Sequence, residues 1–219
     1  MARITTVSMS KAGLPVKLAV RFTRRRMAQL TGREPERMIE PLELYAHIPG
    51  LLLGYAMLEW ATAGLKHLDE RLRFLAELKA ATLTQCEYCI DMGSQVARKS
   101  GLSDEHLLAL PGYRESALFT PLEKLVLDYA VGMSRTPVDV PDSLFAELRK
   151  HLDDTQLVEL THVIALENLR GRFNLALGVG AAGFSEGMVC ALPALPSAPG
   201  APEQPTTTHQ TVPGSATRS

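Results

Sequence analysis

The chain has 219 residues, a formal net charge of −1, 46% hydrophobic residues and 21% charged residues. This length suits one domain with short extensions, and the composition is typical of a globular protein and excludes a wholly disordered chain. The near-zero net charge argues against nucleic-acid binding by bulk electrostatics, and no apolar run reaches the roughly 18 residues that span a bilayer.

The first residues and the cysteines bear on the cellular compartment. Residues 1–13 contain no apolar stretch of the roughly 7–15 residues that secretory signals carry. The chain has three cysteines, which cannot form a disulfide framework. We therefore expect a cytoplasmic protein.

The first predicted element is a basic helix. Residues 1–33 carry eight Lys or Arg and no Asp or Glu, so the rest of the chain is acidic. Apolar residues that include Val20, Phe22, Met27 and Leu30 recur at helical spacing and predict a helix that docks through this face, with its arginines in solvent. We assign residues 1–39 to this basic arm. A contact of the arm with RNA or with an acidic surface is the alternative.

Residues 40–185 are predicted to form one all-α domain of roughly seven to nine helices. Residues 68–83 repeat apolar side chains at helical spacing, and Thr120 and Glu123 have the spacing of a capping box. Residues that suit the starts and ends of helices are Pro35, Pro49, Pro121 and Pro141, and Gly32, Gly64, Gly101 and Gly178. Neither an alternating strand pattern nor a hairpin turn is evident, which favours an all-α bundle.

Beyond this domain, residues 186–219 are predicted to be a disordered, Pro-rich tail. From residue 190 onward the chain holds six of its 14 prolines and two charged residues, Glu203 and Arg218. Such a segment has too few apolar residues to offset the entropy that ordering removes. Cys190, at its start, is expected to be an exposed thiol without a role.

The chemistry of the sequence is concentrated in the CxxC motif of Cys86 and Cys89. Thr84 and Glu87 have the spacing of a capping box, which would place Cys86 at the second position of a helix. The unpaired N–H groups and the dipole of a helix N-terminus favour a thiolate over a thiol. Cys89 lies one turn later, near enough to close a disulfide. The motif predicts dithiol–disulfide chemistry. Two packed free cysteines, or half of a zinc site, are the alternatives.

Thiol chemistry also needs a group that handles protons. Glu77, on the helix that precedes Cys86, is the candidate, and an ion pair with Arg73 is its alternative role. His47 and His162 are further candidates. A lone histidine in such positions is more often a hydrogen-bonded structural residue than a catalyst.

With this motif the sequence resembles the carboxymuconolactone decarboxylase-like superfamily, specifically its alkylhydroperoxidase AhpD-like branch. The resemblance spans about residues 40–180 and rests on residues 78–81, 85–93, 101–103 and 165–174, with Ala46, His47 and Pro49 upstream. It implies an all-α bundle that assembles into trimers, hexamers or related homo-oligomers. It also implies reduction of hydroperoxides by a CxxC pair that cycles between dithiol and disulfide, with electrons from a thiol-based donor.

One part of the family's pattern is missing from this chain. The peroxidase pattern has a Glu before the CxxC motif and a His after it, and the corresponding residues here are Phe74 and Gly93. Neither residue can carry a proton. Glu77 lies one helical turn beyond Phe74 and is the residue that could replace the missing Glu.

The sequence therefore predicts a thiol-dependent peroxidase (peroxiredoxin-type activity, with peroxide as acceptor) or a disulfide oxidoreductase. Its predicted catalytic residues are Cys86, Cys89 and Glu77. We expect a small hydroperoxide or disulfide substrate, a thiol-based electron donor and a homo-oligomer, with no cofactor, metal, nucleic acid or membrane. The alternatives are a cofactor-free decarboxylase or isomerase acting on a small acid through His47, Glu77 or His162, and a non-catalytic oligomeric member of the family.

Overall fold

The computed structural model describes residues 2–7 and 13–193, and this part of the chain is built from α-helices without a β-strand. The nine helices are α1 (Leu14–Thr31), α2 (Glu40–Tyr45), α3 (Pro49–Ala63), α4 (Glu70–Thr84), α5 (Glu87–Lys99), α6 (Asp104–Ala109), α7 (Pro121–Ser134), α8 (Asp142–Leu148) and α9 (Asp154–Leu177). A short 3-10 turn, Leu110–Gly112, follows α6. The predicted all-α class is confirmed. None of the described helices combines the length and the apolar character that crossing a membrane requires.

Helix α4 lies at the centre of the bundle, where it packs against α5, α7 and α9. Its buried residues therefore lie on more than one face. Leu75 and Leu78 belong to a core cluster shared with α5. Ala76 and Ala80, whose small side chains permit close approach of helices, belong to a second cluster shared with α7 and α9. The start of α5, which carries the cysteine motif, is thus packed against the central helix.

The helix ends largely follow the predicted signals. Thr120 Oγ1 accepts the Glu123 N–H at 3.2 Å, and Glu123 Oε2 accepts the Thr120 N–H at 2.7 Å, so this capping box is confirmed. Gly32 and Gly178 end α1 and α9 with φ angles of 76° and 73°, in the left-handed region that favours glycine. Pro35 does not start a helix, because a turn over residues 36–39 separates it from α2.

Helix α1 packs on α5. Val20 is buried and Met27 is half-buried on the side that faces the bundle, whereas Arg21 is exposed. Phe22 and Leu30 are 58% and 37% exposed. The apolar face that the sequence predicts for this helix is therefore wider than the face that packs.

After α9 the chain turns back and runs along α5. We call residues 179–193 the C-terminal segment. The carboxylate of Asp91 on α5 accepts the N–H groups of four consecutive residues, 182–185, at 2.9, 2.7, 3.0 and 2.6 Å. Ser94 Oγ accepts the Ala191 N–H at 3.0 Å. The packed part of the chain thus continues past residue 185, the predicted end of the domain.

The rest of the predicted tail is described only in part. Cys190 is partly buried rather than exposed, which corrects the expectation from the sequence. Residues 194–219, the larger part of the predicted disordered tail, lie outside the described residues.

Candidate active site

The cysteine motif follows a tight turn between α4 and α5. Thr84 is the last residue of α4, and its hydroxyl donates to two carbonyls of the preceding turn, at 3.1 Å each. Gln85 has a left-handed conformation with φ 58°, and Cys86 is the N-cap of α5. The predicted capping box of Thr84 and Glu87 is therefore wrong. Thr84 belongs to the helix before, and Cys86 caps its helix instead of occupying the second position.

Helix α9 explains the position of this turn. Gly171 of α9 lies so close to Thr84 that a Cβ on residue 171 would be 2.5 Å from Thr84 Oγ1 and 2.9 Å from Thr84 Cβ. The two helices approach this closely because residue 171 has no side chain. The contact holds Thr84 within α4, so the helix break falls at Gln85.

Cys86 and Cys89 form a disulfide across the first turn of α5, with their Cα atoms 5.2 Å apart. The pair is enclosed, since Cys86 is 0% and Cys89 4% exposed. Cys86 Sγ accepts the backbone N–H of Cys89 at 3.3 Å. This N–H is one of those at a helix start that have no partner within the helix. A sulfur in this position lies at the positive end of the helix dipole, which favours a thiolate in the reduced protein.

The structure brings to this pair a residue to which the sequence assigned no role, Asn174 of α9. Its Nδ2 lies 3.7 Å from Cys86 Sγ and 3.6 Å from Cys89 Sγ, so one amide reaches both sulfurs. Asn174 is buried, with 3% exposure. Its only signal in the sequence is its place at the end of residues 165–174, one of the stretches that carry the family resemblance.

Glu77, the predicted proton-handling residue, belongs to a group of charged residues on α3, α4 and α9. Arg170 contacts Glu59 through Nε and Nη2, at 2.9 and 2.6 Å, and Glu167 through Nη1 at 2.9 Å. We call Glu59, Glu77, Glu167 and Arg170 the charged cluster. Burial raises the pKa of Glu77 to about 7, with Arg170 opposing the shift and Glu167 adding to it. At neutral pH this carboxyl is therefore poised between its two protonation states.

Glu77 does not contact the sulfurs directly. Within the described residues no hydrogen bond joins it to Cys86 or Cys89, and the nearest carboxylate to Arg73 is that of Glu70, at 3.9 Å. Arg73 makes no direct salt bridge to Glu77, but its positive charge is among those that lower the pKa of Glu77. Arg170, which interacts with Glu77, lies one helical turn before Asn174 on α9. The charged cluster and the disulfide are thus neighbours along α9.

The two histidines have hydrogen-bond partners of their own. His47 Nε2 lies 2.8 Å from the Thr5 carbonyl oxygen, and His162 Nε2 lies 2.7 Å from Thr62 Oγ1. These contacts fit the structural role that the sequence favoured for both residues.

Phe74 and Gly93, which stand where the peroxidase pattern has Glu and His, both make packing contacts. The guanidinium of Arg73 lies 4.6 Å from the centre of the Phe74 ring. Gly93 faces Leu78, and a Cβ on residue 93 would be 3.2 Å from Leu78 Cδ1. In the part of the chain that the structure describes, no group of three or more His, Cys, Asp or Glu is placed to hold a metal ion.

Comparison with known proteins identifies the family. The chain is 35% identical over 183 residues to the uncharacterized protein YnjA of Escherichia coli K12, which covers 83% of this chain and 97% of YnjA. The model of the carboxymuconolactone decarboxylase family matches residues 49–131. The chain belongs to the carboxymuconolactone decarboxylase family. The matched residues include the cysteine motif and the central helix α4 of this family member.

Solved structures of other proteins share its fold. The debrominase Bmp8 has a TM-score of 0.69 and 19% sequence identity, covering 83% of this chain and 93% of Bmp8. A second structure is that of a protein of unknown function from Agrobacterium tumefaciens, provisionally named antioxidant defence protein AhpD. It has a TM-score of 0.54 and 27% sequence identity, and the match covers 62% of this chain and 93% of the Agrobacterium chain. The predicted family and its AhpD-like branch are confirmed, and the likeness to Bmp8 shows the fold.

Proposed function

We propose that this protein is a thiol-dependent oxidoreductase that uses a small organic hydroperoxide as its oxidising substrate. The observation that carries the proposal is the buried Cys86–Cys89 disulfide at the start of α5, within reach of a backbone N–H and of the Asn174 amide. Membership of a family that contains enzymes supports catalysis. The likeness to an AhpD-named protein supports peroxide as the oxidant.

The reaction cycle has three steps. In the reduced protein one cysteine, as thiolate, attacks the terminal oxygen of the hydroperoxide. An S–O bond forms, the O–O bond breaks, and the leaving alkoxide takes up a proton to become an alcohol. The second cysteine then attacks the sulfenic sulfur, the disulfide forms and water leaves. A small external dithiol, which can reach the same enclosed sulfurs, restores the pair by two thiol–disulfide exchanges and is itself oxidised to a disulfide.

The burial of both sulfurs favours a small oxidant. To react, a protein disulfide would have to bring one of its own sulfurs against the sulfur of Cys86 or Cys89, residues that are only 0% and 4% exposed. A small hydroperoxide needs only a narrow opening to reach the same atoms. We therefore rank a hydroperoxide above a protein disulfide as the oxidising substrate.

We propose that Glu77 is the general acid and base of this cycle. A carboxyl with a pKa of about 7 takes up and releases protons readily at neutral pH. Because it makes no hydrogen bond to the sulfurs, its exchange with them requires water along α9, between the charged cluster and Asn174. Glu77 then performs the task that Phe74 and Gly93 cannot.

The test follows the peptide that contains Cys86 and Cys89 by mass spectrometry. Fully reduced protein, freed of reductant, receives a stoichiometric amount of cumene hydroperoxide, and we expect an intrachain disulfide together with an equal amount of cumyl alcohol. Cys86→Ser and Cys89→Ser should each abolish turnover with a dithiol donor. The matched control is Cys190→Ser, which should turn over like the parent. Thiols that stay reduced, or turnover in either serine variant of the pair, would refute the proposal.

A second candidate function is proton-transfer catalysis on a small acid, either decarboxylation or isomerisation. The pKa of Glu77 favours it, because a carboxyl near neutrality serves as a general acid or base without any thiol. His162 lines a surface groove together with Phe145 and Leu157. Activity on a small acid that survives alkylation of all thiols, and that Glu77→Gln abolishes, would favour this candidate.

We also propose that the protein acts as a homo-oligomer whose subunits meet through α3. Four large apolar side chains of this helix point into solvent, with exposures between 49% and 73%: Leu51, Leu53, Met57 and Trp60. Glu59 and Thr62 of the same helix bond to α9 of their own chain. Leu53, Met57 and Trp60 share one face of the helix, and an exposed apolar face of this kind is typical of a protein interface.

A further inference from the structure

Asn174 is positioned so that one buried amide faces both sulfurs of the redox pair. The Nδ2 atom is 3.7 Å from Cys86 Sγ and 3.6 Å from Cys89 Sγ, and the residue is 3% exposed. With so little exposure, the side-chain N–H groups have little access to solvent. Within the described residues, the hydrogen-bond acceptors that Asn174 Nδ2 reaches are the two sulfurs. Buried N–H donors are rarely left without a hydrogen-bond partner.

A side-chain amide interacts far more strongly with a thiolate than with a disulfide. A hydrogen bond to an ionised group is roughly twice as strong as a neutral one, and it favours the charged form. None of the charged side chains on the surrounding elements makes a hydrogen bond to either sulfur within the part of the chain that the structure describes. Glu77 on α4 and Glu87 on α5 are acidic, Asp91 is bonded to the C-terminal segment, and Arg170 is engaged by the charged cluster. Among the described residues, the hydrogen bonds to the sulfurs come from the Asn174 amide and from the backbone N–H of Cys89 at the helix start.

We propose that Asn174 is a catalytic residue of the redox site, which donates its amide N–H to the thiolate of the reduced pair and thereby stabilises the dithiol form relative to the disulfide. This inference rests on the proposed thiol chemistry. Because the two distances are nearly equal, the same amide serves the first thiolate during attack and the second during disulfide formation. An amide does not titrate, so its N–H is available at any pH, and its effect follows the ionisation of the thiol alone.

The experiment compares Asn174→Leu with a matched control, Asn168→Leu, both in the Cys190→Ser background. Asn168 lies on the same helix, is 5% exposed, and donates to Ser134 Oγ at 2.9 Å rather than to sulfur. The thiolate of the reduced proteins is titrated by its ultraviolet absorbance, and the dithiol–disulfide equilibrium is measured in glutathione buffers. We expect Asn174→Leu to raise the titration midpoint by about one pH unit and, at a pH above both midpoints, to shift the equilibrium about tenfold toward the disulfide. The control should match the parent. Parent-like values in a folded Asn174→Leu protein would overturn the inference.

A measurement on the parent chain covers the case in which Asn174→Leu does not fold. The side-chain amide NMR signal of Asn174 should move with the thiol titration in the reduced protein and stay constant in the oxidised one, while that of Asn168 stays constant in both. An Asn174 signal that ignores the thiol titration would also overturn the inference. Neither measurement uses peroxide. A protein that shows the Asn174 effect but does not react with hydroperoxide would refute the proposed oxidant and leave this inference intact.

Discussion

Arg170 and Glu59 pair through two parallel contacts, Nε to Oε1 at 2.9 Å and Nη2 to Oε2 at 2.6 Å, which join α9 to α3. The same guanidinium holds Glu167. Although burial opposes it, the field of Glu59 and Glu167 keeps the pKa of Arg170 well above its usual range. Burial raises the pKa of both Glu77 and Glu167 in this cluster, while the Arg170 guanidinium opposes the shift at each of them.

Removal of this guanidinium should destabilise the fold in a pH-dependent manner. We expect Arg170→Gln to lower the free energy of unfolding by about 3–5 kcal/mol at about pH 8, because the buried carboxylates lose their partner. The loss should be smaller at about pH 5, where the carboxyls can be protonated. Urea unfolding at both pH values measures the effect. Arg135→Gln, which breaks an ion pair more than half exposed, is the control and should change stability by less than about 1 kcal/mol. Equal losses at the two pH values would contradict this account.

Replacement of Glu77 should remove a pH-dependent loss of folding stability that the ionised Glu77 carboxyl causes. Below its usual pKa of 4.5 the carboxyl is protonated in both the folded and the unfolded state and has no effect. Between 4.5 and about 7 the unfolded chain releases its proton first, so stability falls as the pH rises, and above about 7 the penalty is constant. Glu77→Gln should therefore be the more stable protein at about pH 8, by up to about 3 kcal/mol, with no such gain near pH 4.

The control for Glu77 is Glu70→Gln, since Glu70 lies on the same helix and its side chain is 68% exposed. Urea unfolding across this pH range should give parallel curves for Glu70→Gln and the parent, and a flatter curve for Glu77→Gln. A Glu77→Gln curve parallel to that of the parent would show that the carboxyl is not buried as described.

The two thiols should differ in acidity. Cys86 Sγ accepts two hydrogen bonds, one from the Cys89 backbone N–H and one from the Asn174 amide. Cys89 Sγ accepts one hydrogen bond, from the Asn174 amide. We therefore expect Cys86, isolated in the Cys89→Ser variant, to ionise about one pH unit below Cys89, isolated in Cys86→Ser. Titration of thiolate absorbance in the Cys190→Ser background measures both midpoints. The reverse order would show that the N-cap hydrogen bond does not persist in the reduced protein.

The close contact between α9 and the turn before the motif should not tolerate a methyl group. Gly171→Ala would place its Cβ 2.5 Å from Thr84 Oγ1, and we expect a loss of about 1–3 kcal/mol together with a displaced motif. Thermal unfolding and the rate of disulfide formation measure the two effects. Gly112→Ala, where a Cβ would meet nothing within 4 Å, should leave both nearly unchanged. A Gly171→Ala protein as stable as the parent would mean that the helices can separate freely.

A charge in the exposed face of α3 should disrupt the proposed oligomer. Trp60 is 73% exposed in the single chain, so Trp60→Glu should leave the subunit folded and shift light-scattering mass toward the monomer. Glu105→Gln, an exposed residue of α6, is the control. A parent protein that is already monomeric, or an unchanged mass in Trp60→Glu, would exclude α3 as the interface.

The features that were predicted correctly are those determined by residues close to one another in the sequence. The Thr120–Glu123 capping box and the one-turn spacing of the cysteines depend on chemistry within a few positions, and both are present in the structure. The turn before Cys86 was predicted wrongly, because its position depends on Gly171 of a distant helix. Asn174 was missed for the same reason. It lies 88 positions from Cys86, and only the crossing of α9 over the start of α5 brings its amide to the sulfurs.

The hold of Asp91 on the C-terminal segment has a practical consequence for anyone who shortens or tags this protein. A chain cut directly after α9 would remove the four N–H donors of residues 182–185 and leave a buried carboxylate without them, two residues from Cys89. Such a truncation would perturb the cysteine helix even though it deletes no residue that touches sulfur. An affinity tag placed after residue 193 keeps all four donors and is the safer design.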